Sequence, residues 1–164
     1  MKHTISVLVE NTAGVLSRIT GLFSRRGFNI DSLAVGITDN PDISRVTIVA
    51  DGNEHDVEQL AKQLNKLVDV IKVQSLDQEQ LISRELWLVK ISCTPDKLSE
   101  LKSITEVTGA KIIDVTPETV TLEISDWGAK LMNFKALIEP FGILEMVRTG
   151  VVAIERGAGG IGRR

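Results

Sequence analysis

Apolar residues in this chain switch between a two-residue and a 3.6-residue spacing in a fixed order, and that order restricts the fold more than any other property of the sequence. Ile5, Val7 and Val9 alternate along Thr4–Glu10 as on a strand, with Leu8 on the other face. After a break at Asn11-Thr12-Ala13-Gly14, the residues Val15, Leu16, Ile19, Leu22 and Phe23 recur at helical spacing. Arg25 and Arg26 suit a helix C-terminus, and Gly27 suits its C-cap. Strand patterns follow over 30–37 and 44–50, joined into a hairpin by the turn residues Asp39-Asn40-Pro41-Asp42. A second helix carries Val57, Leu60, Ala61, Leu64 and Leu67, with Glu54 and Asp56 favouring its N-terminus, and 68–73 reads as a fourth strand.

The order strand-helix-strand-strand-helix-strand buries every apolar stripe if the sheet is antiparallel and both helices lie on one face, the ferredoxin-like arrangement. The order then repeats after a polar stretch. Strand-like 85–93 leads to a helix over 95–108, with Pro95 in its first turn and Gly109 at its end. A hairpin, 110–115 with 119–124, turns at Thr116-Pro117-Glu118. A helix over 127–141 and a strand over 143–154 complete the second half. The expected fold is α+β: two ferredoxin-like βαββαβ half-domains, residues 1–76 and 85–156, joined by a linker at 77–84 and followed by a flexible Gly/Arg tail at 157–164.

Several functions lose support on composition. A net charge of −3 does not suit a surface that neutralises phosphates, so no nucleic-acid partner is expected. No apolar run approaches the roughly 18 residues that span a bilayer, so no membrane partner is expected. The chain moves from Met1 into a strand without a signal-peptide pattern, and Cys93 is its only cysteine, which fits the reducing cytoplasm. RNA recognition modules share the element order, but they stack bases on strand aromatics, and Ser44–Ala50 carries none. His3 and His55 are isolated from cysteine or carboxylate clusters, Cys93 has no identifiable base, and neither a metal nor a catalytic residue is expected. Gly157-Ala158-Gly159-Gly160-Ile161-Gly162 matches the dinucleotide spacing G-x-G-x-x-G, but only two residues follow where that motif needs a helix.

The loop at 11–14 is the informative one. A glycine just before a helix lets the backbone turn sharply and leaves the first helical N–H groups open to a carboxylate, and Asn11 adds an amide that both donates and accepts. The strings Ile5–Asn11, Gly14–Ile19 and Gly21–Ile30 closely resemble the ACT domain of acetolactate synthase small subunits. Ser32-Leu33, Ser44–Ile48, Gln63–Val70, Ile112–Val115 and Val147–Ala153 continue the likeness in the same order, over nearly the whole chain.

That resemblance implies a regulatory protein of branched-chain amino acid biosynthesis and no enzyme in its own right. It implies a homodimer in which two ACT domains pair edge to edge with L-valine between them. Asn11, Gly14, Val15 and Leu16 would line one side of the effector site, and Asn29 and Ile30 of the other chain the opposite side. It further implies a catalytic large subunit that carries thiamine diphosphate, FAD and magnesium, none of them expected in this chain. That subunit would be activated by this one and made sensitive to valine. The alternative is a free-standing ACT-domain sensor that regulates another enzyme or transcription. The second half departs from the family pattern: Ser125-Asp126-Trp127-Gly128 stands where relatives carry Thr-Gly, and Lys97, Lys102 and Val107 replace the usual arginine and phenylalanine.

Overall fold

The computed structural model describes residues 1–162 of the 164. They fold as two compact units, one made of Met1–Ser83 with 151–162 and the other of Arg84–Gly150.

The first unit runs β1 (Lys2–Glu10), α1 (Val15–Arg25), β2 (Ile30–Ile37), β3 (Ile43–Asp51), α2 (Glu54–Leu64) and β4 (Val70–Leu76). Its sheet has the order β2-β3-β1-β4 with antiparallel neighbours throughout. Alternation puts Ile5, Val7 and Val9 of β1 beside Val46, Ile48 and Ala50 of β3 in one buried cluster. Ile19, Leu22, Phe23, Leu60 and Leu64 from the two helices close that cluster. Burial of each large side chain there contributes about 1.5–3 kcal/mol. Phe23 and Phe28 meet edge to face with ring centroids 6.2 Å apart. Gly52 makes room for them, since a Cβ there would lie 2.8 Å from Phe28 Cε1.

The second unit repeats the plan with the rest of β5 (Leu81–Ser92), α3 (Leu98–Thr108), β6 (Lys111–Val115), β7 (Thr119–Asp126), α4 (Gly128–Ile138) and β8 (Ile143–Arg148). Its strands are ordered β6-β7-β5-β8. Trp87, Val89 and Ile91 of β5 bury against Leu122 of β7, Leu101 of α3 and Leu131 and Phe134 of α4. Cys93 is packed in the same core. Glu85 is buried, and Arg148 donates to it twice, at 2.8 and 3.0 Å, while its guanidinium stacks 5.0 Å from the Trp87 ring. The edge strand β6 is exposed at every residue and bulges at Ile113, which has no partner between the pairs Ile112–Leu122 and Asp114–Thr121.

The α+β fold of two ferredoxin-like halves is as expected, but the end of the chain is not. The single strand expected over 143–154 is two: β8 stops at Arg148, Gly150 turns the chain at φ 86°, and β9 (Val152–Glu155) joins the first unit. There β9 pairs with β5, and Ala153 packs with Leu76 and Leu81. The expected linker 77–84 shortens to a turn for the same reason, because Leu81 is already strand and buried. The tail is also packed in part: Ile161 is buried. Arg163 and Arg164 lie outside the described residues.

This returning segment covers the sheet face that carries no helices. Val151 N–H donates to Ser32 Oγ at 2.7 Å, Arg45 Nη2 to the Ala153 carbonyl at 2.8 Å, and Gln74 Nε2 to Glu155 Oε2 at 2.8 Å. Thr4, Ser6 and Thr47, which alternate with the core residues, are buried beneath it.

Candidate functional site

The loop between β1 and α1 is held by its neighbours on both sides. Glu10 N–H donates to the Asp69 carbonyl at 2.9 Å, ahead of β4. Asn11 N–H donates to the Asp42 carbonyl at 2.8 Å, and Asn11 Nδ2 to the Pro41 carbonyl at 3.0 Å, in the turn between β2 and β3. Gly14 then caps α1 in the left-handed region at φ 86°, where a residue with a Cβ is strained.

No side chain caps α1 and its first turn holds no acid, in contrast to α2, where Asn53 accepts from Asp56 N–H at 2.8 Å. The first N–H groups of an α-helix have no intrahelical acceptor, so here they remain, with the positive end of the helix dipole, for an anionic group. Arg18, one turn on, lies over the same spot: a Cβ on Gly14 would be 3.3 Å from Arg18 Nη1. Its guanidinium forms an ion pair with Asp69. The loop therefore offers backbone donors and a cation at the mouth of a helix, chemistry that binds a carboxylate.

Asn11, Gly14 and Leu16 are together at this end of the sheet. Leu16 is exposed, whereas the Val15 side chain is buried in the core, so Val15 can present only its backbone. Asn29 and Ile30 are elsewhere. The Asn29 carbonyl accepts from Asp51 N–H, and Ile30 pairs with Ala50, at the far end of β3. The nine residues of β3 separate the two groups by about 25–30 Å in one chain. Beside Asn29 opens a cleft of about 430 Å³, lined by Arg26, Phe28, Asp51, His55 and Gln59 among others. Sequence reasoning reaches Arg18 only inside a matched string; its signal is the four-residue spacing from Gly14, which puts both on one helical face. Among the described residues, no group of three or more His, Cys, Asp or Glu side chains is arranged to hold a metal. Among the same described residues, no helix is long and apolar enough to cross a membrane.

Two family models match the chain, the "AHAS small subunit-like ACT domain" over residues 5–72 and the "small subunit of acetolactate synthase" over residues 84–157. The chain is 47% identical to the probable acetolactate synthase small subunit of Archaeoglobus fulgidus, over 96% of this chain and 98% of that one. It is also 47% identical to the acetolactate synthase small subunit of Mycobacterium bovis, over 98% and 95%. Its fold matches the crystal structure of the acetolactate synthase small subunit from Thermotoga maritima with a TM-score of 0.89 at 38% identity, covering 97% of this chain and 99% of that one.

Proposed function

The chain belongs to the acetolactate synthase small-subunit family, and on that footing we propose that it is a regulatory subunit that raises the activity of a catalytic large subunit and makes it inhibitable by L-valine. The observation that carries this reading is the uncapped, glycine-led N-terminus of α1 beneath Arg18. The amino acid's carboxylate takes the open N–H groups of α1, Asn11 holds the polar end, and Leu16 gives the side chain an apolar wall.

One copy supplies half of such a site. β2 is the edge of its sheet and exposes Val35 and Ile37. Two copies that join β2 to β2 about a two-fold axis run antiparallel, so the end of one strand meets the start of the other. Asn29 of the partner subunit, with Ile30 of the partner subunit beside it, then faces the Asn11–Leu16 loop. The 25–30 Å that separates these groups along one β3 is what such a pairing requires. An effector shared by two chains reports on the geometry of the dimer, which gives it leverage over a bound catalytic subunit. Thiamine diphosphate, FAD and magnesium belong to that catalytic subunit in this reading, and this chain serves it without holding any of them.

The test is the acetolactate-forming rate of the purified catalytic subunit, with and without this chain, across a valine titration. The expected result is a higher rate that valine suppresses. A rate indifferent to the chain would overturn the reading in favour of a sensor with another target.

A further inference from the structure

The returning segment 151–162 poses a physical problem that the regulatory reading does not address. On the helix side of β1 and β3 the buried residues are Ile5, Val7, Val9, Val46, Ile48 and Ala50, with Ser44 the one polar member at the strand end. On the other side of the same strands Thr4, Ser6 and Thr47 are buried along with Leu8 and Val49, a more polar mixture than the helix side carries. Yet Ser6 is 0% exposed. Ser6 stands in register with Gln74 on one flank and Thr47 on the other, and both Ser6 Oγ and Gln74 Oε1 lack a hydrogen-bond partner. Buried polar groups left unpaired oppose burial.

The cover is built the wrong way round for a permanent layer. Within β9 the small Ala153 turns inward, while Val152 and Ile154 point outward at 50% and 54% exposure. Arg45 donates to it at the neutral Ala153 carbonyl, and burial lowers the Arg45 pKa, because the charged form loses water there. Glu155, which accepts from Gln74, has its carboxylate against Gly159, where an added Cβ would come within 2.6 Å. Glycines at 157, 159, 160 and 162 give the rest of the segment little to bury except Ile161.

We propose that residues 151–162 are a releasable strap, which closes over the polar face of the β2-β3-β1-β4 sheet and leaves it by local opening while the rest of the fold stays intact. Opening returns Ser6, Thr47, Gln74 and Arg45 to water and sacrifices the pairing of the four-residue β9 with β5, the small Leu76–Leu81–Ala153 cluster, Ile161 and part of the cover over Leu8 and Val49. The chain passes between its two units after Ser83 and after Gly150. A closed strap anchors the second of these crossings to the sheet, and an open one lets it go.

Amide hydrogen exchange of the full-length protein, read by mass spectrometry, tests this without reference to valine or to a catalytic subunit. The amides of Val151 and Arg156 are hydrogen-bonded. They should nonetheless exchange about a hundredfold or more faster than the ladder amides of β1 and β3. Ser6→Ala removes one unpaired group from the closed state and should slow the segment about tenfold. Gly159→Ala pushes the Glu155 carboxylate off Gln74 and should speed it. Protection equal to that of β1 and β3 would overturn the strap, and so would a Ser6→Ala or Gly159→Ala effect that is absent or opposite in sign.

Discussion

At Gly14 a single backbone angle and a single cation meet, so one substitution acts in two ways. Gly14→Asp forces a side chain into the left-handed region, at a cost of about 1–2 kcal/mol of stability. It also puts a carboxylate beside Arg18 and the α1 N-terminus, the place proposed above for the effector's own carboxylate. On the proposed function, the expected outcome is a folded protein that still activates the catalytic subunit but no longer responds to valine, measured by the titration above. Unchanged inhibition in that variant would remove the loop from the site. Two other residues make separate predictions. The N-terminal ammonium donates to Asp51 at 2.7 Å and holds that carboxyl below its ordinary range. A depressed carboxylate stabilises the fold above its unfolded value, near pH 4, and loses that contribution as pH falls through its folded value. Asp51→Asn should therefore flatten the acid limb of stability, as read from urea midpoints at pH 7 and pH 3. Cys93 is buried, and burial raises its thiol pKa. It should react with a thiol reagent about a hundredfold more slowly in the native protein than in denaturant.

At the scale of elements, the joints between them are the sensitive places. Gly52 lies between β3 and α2 where Phe28 packs, so Gly52→Ala must displace an aromatic ring and should cost about 1–3 kcal/mol by thermal or urea unfolding. Arg148→Ala strips a bidentate partner from buried Glu85 and a stacked cation from Trp87, tying β8 to β5 less firmly. With one face of that pair open to water, the loss should be about 2–3 kcal/mol. These elements were legible in the sequence to different degrees. The hairpins and amphipathic helices were clear because one face of each is buried, which imposes a period. The division of the last strand was not, because Ile143–Arg148 and Val152–Glu155 are both apolar and Gly150 alone marks the turn. What makes β9 is its pairing with β5, supported by the bond from Arg45 to Ala153 across 108 positions of sequence, and no local pattern reports partners that distant. The candidate site was legible in the same uneven way: the Asn11–Leu16 loop announces itself through Gly14, but the inward turn of Val15 and the ion pair of Arg18 with Asp69 depend on packing.

For the molecule as a whole, two cores imply two cooperative units. Both tryptophans, Trp87 and Trp127, belong to the second unit, so tryptophan fluorescence follows that unit alone while circular dichroism follows both. The two unfolding curves should fail to coincide in a urea titration, which would be the signature of separate transitions. The bulge at Ile113 bears on a different matter, the behaviour of many molecules at once. A flat outer strand bearing Ile112, Ile113 and Val115 in the open would be a template on which further chains add, one after another, into a fibre. The extra residue kinks that strand and breaks the even row of donors and acceptors a newcomer would need. Deleting Ile113 should restore the row and lower the concentration at which the chain aggregates, as read by light scattering. The bulge at Ile113 therefore guards the outer strand against pairing from chain to chain.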